Sequence, residues 1–161
     1  MSNPHAALLI FAAVWQKHAV RTTDSTAARV VGYGVLATAA AETLGFGWKG
    51  SLGNYLGDEA GMFDEHGMLV YYVLTDFGAY LPWVGVLISA WAVVWMAFVE
   101  KHVSRILGAV TAVIALGATV AMLAMGVPGI PGTAAPLWLV IFGIWLAVGR
   151  KSITSTVAEA L

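Results

Sequence analysis

Glu42 is the residue whose setting most calls for a chemical explanation. It stands about one turn from the end of an apolar stretch, residues 27–46. Helical residues three and four apart share a face. Gly34, Ala37, Thr38, Ala41, Glu42 and Gly45 therefore form one row, nearly all of it small. Small residues let helix backbones approach closely in lipid. Glu42 is thus expected to point toward a tight helix contact, where an ionisable group is costly and marks a functional hypothesis. It could handle a proton or cation, or accept a hydrogen bond from a ligand. The plainer reading has it reaching the headgroups or pairing with Lys49.

Asp76 has two readings. If its helix starts near Met68, Asp76 lies about 12 Å down the helix. If the helix starts at Phe77, Thr75 and Asp76 are its N-cap, which is the favoured expectation. Glu42 and Asp76 could then sit at similar depth, and two carboxylates together would suit a cation or a shared proton.

His66 follows Asp64 and Glu65, so a metal site is conceivable. Adjacent helical residues cannot all face one ion, however, and a solvated interfacial patch is the expectation. His5, His18, His66 and His102 all lie near the ends of apolar stretches, which does not suit two axial haem ligands. Trp48 and Trp138 are expected in an outer aromatic belt and Trp15 in an inner one. Trp91 and Trp95 share a helix face, as do Trp138 and Trp145. Such faces could line a lipid, quinone or pigment pocket, though packing is the simpler use. The sequence contains no cysteine, which removes thiolate metal sites and thiol nucleophiles. It carries no metalloprotease, nucleophile-elbow or phosphate-loop signature. It assigns neither a metal nor a cofactor.

These residues must be positioned by membrane helices. Of the 161 residues, 60 % are hydrophobic and 11 % charged, and the mean hydropathy is +0.82. Soluble domains are roughly 45–50 % apolar and about 25 % charged. Too few polar groups are present to cover a water-facing surface. A span needs about 20 apolar residues and must satisfy its own backbone hydrogen bonds, so helix is required. The expected fold is an all-α polytopic transmembrane bundle of four or five helices in a single integral membrane domain. The stretches are 4–20, 27–46, 77–99, 106–127 and 134–149. The first, whose uninterrupted apolar core Ala6–Trp15 is short and is followed by Lys17, could instead lie along the interface. It lacks a basic leader, so it is read as retained. The connection 47–76 is expected to hold a short helix near 59–74. Pro82, between Gly78 and Gly85, is the expected break or kink. The Pro-Gly pairs of residues 127–132 should form a tight turn.

Charge supports this arrangement. Lys17, Arg21, Arg29, Lys101, Arg105, Arg150 and Lys151 fall on one side of the spans, and only Lys49 on the other. The Lys/Arg-rich side belongs in the cytoplasm. This predicts a multi-pass protein of the cell membrane, a cytoplasmic C-terminus and an outside 47–76 connection. Net charge is −1, so no nucleic-acid partner is indicated. The expected partners are the lipid bilayer and other membrane subunits or further copies of the chain. Three functions fit: a non-enzymatic subunit or accessory component of a larger complex, a small oligomeric channel or transporter using Glu42, or an intramembrane enzyme or haem- or quinone-binding protein. The first is favoured, because small-residue faces suit packing and no catalytic set is present. Gly108, Ala112 and Ala115 supply a second such face.

Overall fold

The computed structural model describes residues 4–55 and 65–148. Among these the protein is all helix. Helix α1 covers Pro4–Trp15 and continues through a π-turn, Gln16–Val20, to a last turn, Arg21–Thr23. It is followed by α2 (Thr26–Tyr55), α3 (Glu65–Tyr80), a 3₁₀ turn (Leu81–Trp83), α4 (Val84–Phe98), α5 (Arg105–Met125) and α6 (Pro131–Val148). Four segments are long and apolar enough to cross a membrane: Thr26–Ser51, Leu81–Phe98, Arg105–Met125 and Pro131–Val148. The chain is a multi-pass membrane bundle.

Local chemistry sets the helix ends. After α1 the backbone turns at Asp24, whose φ is +45° and whose N–H bonds Val20 O at 2.9 Å. Ser25 then caps α2, its Oγ accepting the Ala28 N–H at 3.0 Å. Helix α5 ends at Gly126, in the left-handed conformation with φ +63°, and Val127 N–H closes on Met122 O. Pro131 opens α6, where its missing N–H costs nothing.

Pro82 produces the expected break. It cannot donate to the carbonyl four residues back, that of Gly78. The helix that began at Glu65 therefore ends at Tyr80, and a new axis starts at Val84. Within the expected stretch 77–99, the apolar segment after the break is Leu81–Phe98. The helix that began at Glu65 overturns the capping role for Asp76, which lies inside α3. The Thr75 hydroxyl bonds Tyr71 O at 2.8 Å, so a polar pair that resembles a cap is accommodated in mid-helix. The short helix expected near 59–74 is observed over Glu65–Tyr80, and residues 59–64 lie outside the described residues.

Helix α4 is central. On one side it packs on α2 through a seam in which small residues let the backbones touch. A Cβ on Gly34 would collide with Gly85 O and Ser89 Oγ, and one on Gly85 would collide with Gly34 O. Ser89 Oγ donates to Val31 O (2.9 Å), and Thr38 Oγ1 donates to Pro82 O (2.7 Å). On its other side α4 meets α5, where Gly108 packs on Ala97 and Phe98. The second small-residue face is therefore used inside the bundle.

Helix α1 lies beside α2 and reaches α6. Trp15 Nε1 donates to Ala28 O at 2.7 Å. Phe11 and Trp15 pack on Phe142 with ring centroids 6.2 and 5.6 Å away, and Phe142 stacks on Trp138 at 5.0 Å. Trp138 and Trp15 are only 1 % and 4 % exposed. The expectation that they belong to aromatic belts is thus overturned: each buries its ring and satisfies its N–H, Trp138 on Thr111 Oγ1 at 3.1 Å.

Candidate functional site

Depth along the bundle follows from two fixed levels. At the basic end, Ser25 Oγ donates to Glu100 Oε2, tying the α1–α2 connection to the α4–α5 connection. Lys17, Arg21, Arg29, Lys101 and Arg105 are all exposed there. At the far end, Gly129 of the α5–α6 turn and Gly132 in the first turn of α6 face Tyr80 and Trp83. Helix α5, with 21 residues, is about 31 Å long, close to a hydrocarbon core of about 30 Å. Helix α2 has 30 residues and a length of about 45 Å. Since the basic ends are tied together, α2's surplus of roughly 14 Å emerges at the far end. There α3 packs against it, forming a two-helix extension.

Glu42 sits where α2 passes from the bundle into this extension. One turn before it is Thr38, bonded to Pro82 O. Three residues after it is Gly45, where an added Cβ would lie 2.6 Å from Gly78 O. The carbonyl that Pro82 leaves without a helical donor is thus the one that faces the Gly45 backbone. Glu42 is half-buried, and its Oε1 is shielded from solvent. Of the expected small row, Gly34, Thr38 and Gly45 are buried in the contact. Ala37 and Ala41 are exposed beside it.

Helix register places the other candidates. Asp76 precedes Gly78 by two residues, and Glu42 precedes Gly45 by three. In this antiparallel pair the two positions are about 7 Å apart along the axes, so they share a contact without sharing a level. Trp48 is half-buried and lies against Gly78, its Cε3 3.4 Å from where a Cβ would stand. It lines an open groove of about 420 Å³ together with Ala41, Leu44, Leu74, Gly78, Leu81 and Pro82. His66 is exposed and lies about 18 Å from Gly78 along α3. The fold therefore gathers Glu42, Trp48 and the Asp76 position at the α2–α3 contact and leaves His66 at its outer tip. Among the described residues, no three His, Asp or Glu side chains are grouped to hold a metal ion.

Comparisons with family models, curated proteins and solved structures give no match. Function must therefore be argued from this geometry.

The sequence reading missed the surface of the extension. Leu69, Val70, Tyr72, Val73 and Leu74 of α3 are 41–62 % exposed, and Leu44 and Phe46 of α2 are 55 % and 66 % exposed. The available signal was the apolar run 68–74 lying outside the spans. Which side of it faces α2 could not be read without the Gly45–Gly78 contact.

Proposed function

We propose that the chain is a non-enzymatic subunit or accessory component of a larger complex in the cell membrane. The basic end lies in the cytoplasm and the α2–α3 extension outside, where the extension receives a second membrane subunit. The observation that carries this reading is the apolar surface of α3 beyond the level where α5 and α6 turn back. Apolar side chains there have outrun the lipid that would solvate them, and a contiguous exposed apolar patch marks an interaction site. Their aliphatic and tyrosine character suits a partner surface that is itself amphipathic. The tightest small-residue faces are consumed by internal packing, so the extension is the surface left to offer. On this reading α1 is a fifth span, parallel to α6, with the N-terminus outside.

Purification of the tagged chain in mild detergent tests the proposal. A second membrane polypeptide at fixed stoichiometry, lost in a Leu69→Gln/Tyr72→Gln variant that melts at the wild-type temperature, is the expected result. A stable lone protomer would oppose it.

The position of Glu42 favours a second reading, a small channel or transporter for a proton, cation or small solute. Its carboxylate lies at a helix junction in a membrane protein, beside an open groove. Flux into liposomes should then fall at least tenfold in Glu42→Gln. Equal flux in the two proteins, or none in either, would remove this reading.

A further inference from the structure

A second groove lies between α2 and α4 at the basic end. It holds about 420 Å³ and is lined by Thr26, Ala27, Val30, Ala92, Trp95 and Glu100. That volume falls within the range of small-ligand sites, roughly 300–1,000 Å³. Its lining changes character along its length. Val30, Ala92 and Trp95 lie one to two turns inside the spans and are apolar. Thr26 and Glu100 stand at the helix ends, level with the connections. A phospholipid has the same order of chemistry, with acyl chains in the hydrocarbon and a polar head at the boundary. Trp95, 55 % exposed, borders the groove as an amphipathic ring suited to that boundary.

The polar end carries a fixed carboxylate. Glu100 is half-buried, and its Oε2 accepts from Ser25 Oγ, which is itself held by the Ala28 N–H. The nearby guanidinium of Arg29 is engaged by Asp24 at 2.7 Å. Lys101 is exposed and does not line the groove. An anionic headgroup would meet a like charge here. A quaternary ammonium has no N–H to give the carboxylate. A primary ammonium has three donors and the opposite charge, and Thr26 adds a hydroxyl able to donate or accept.

We propose that this groove binds a phospholipid with a primary-ammonium headgroup from the leaflet at the basic end, with Glu100 receiving the ammonium. The site is distinct from the α2–α3 extension and does not depend on the function proposed for it.

Native mass spectrometry of the full chain, delipidated in detergent, tests the assignment. The probes are phosphatidylethanolamine, phosphatidylcholine and phosphatidylglycerol with identical acyl chains. Wild type should retain the ethanolamine lipid at least fivefold over the other two. Glu100→Gln, which keeps an oxygen for Ser25, should abolish that preference at an unchanged melting temperature. Trp95→Ala should lower retention of all three lipids. Equal retention by wild type, or strongest retention of phosphatidylglycerol, overturns the proposal without recourse to any variant. So does a preference that survives in Glu100→Gln. Soluble glycerophosphoethanolamine should not displace the lipid, and displacement would contradict a lipid as the ligand.

Discussion

The two halves of α2 use glycine in opposite ways. In the bundle half, Gly34 sits against the Gly85 backbone so closely that neither position admits a Cβ, and the Gly45–Gly78 contact repeats the device one level out. In the last turns of α2, an added Cβ on Gly47, Gly50 or Gly53 has nothing within 4 Å among the described residues. The first set allows backbones to touch in a medium where apolar burial gives no advantage. The second set weakens a helix, and among the described residues no close contact uses the missing side chain. One half is a closed seam with its hydroxyls satisfied on backbone carbonyls. The other is an exposed apolar extension. The difference separates the part of the chain that holds the fold from the part that we propose receives a partner.

The largest effect that would break this comparison belongs to the seam. Gly85→Val places side-chain carbons against Gly34 O and Thr38, and neither backbone can withdraw without opening the α2–α4 contact. A loss of about 3 kcal/mol or more is expected, seen as absence of a cooperative melt in detergent. A wild-type melt would contradict the seam. A smaller effect is expected from Ser89→Ala. Ser89 is fully buried, and its single O–H lies within reach of two acceptors, Val31 O and Gly85 O. Its loss should cost about 1 kcal/mol, measured as a lower midpoint in the same assay. The smallest effect, and of opposite sign, belongs to the extension. Gly50→Ala should leave stability unchanged or raise it by up to about 1 kcal/mol, because the methyl group meets nothing among the described residues. Destabilisation there would show that the far end of α2 is packed as tightly as its basic end.

Much of the architecture was legible before the coordinates. Lipid solvation forces apolar runs into helices, and Pro82 and the Pro-Gly turn at 127–132 punctuate them by local rules. What could not be read depended on neighbours distant in sequence. Trp15 and Trp138 have the composition of belt residues. Their burial rests on the Ala28 carbonyl and the Thr111 hydroxyl, 13 and 27 residues away. Asp76 looked like a cap because a helix was expected to start at Phe77, yet the helix that begins at Glu65 runs through it to Tyr80. The π-turn at Gln16–Val20 left no sequence signal, although it sets Gln16 against Gly32. For the site, the row through Glu42 located the contact correctly in part, with Ala37 and Ala41 falling outside it. The chemistry of Glu42 stayed open because a small-residue row fixes where a carboxylate stands and not what it meets there.

The central claim, that the α2–α3 extension receives a partner while the other exposed surfaces face lipid, is tested most directly by photocrosslinking in native membranes. A photoreactive residue at Tyr72, 62 % exposed, is compared with one at Leu116 of α5, 55 % exposed. The account predicts a discrete protein adduct from position 72 and lipid adducts alone from position 116. Protein adducts of equal yield at both positions, or none at position 72, would contradict it.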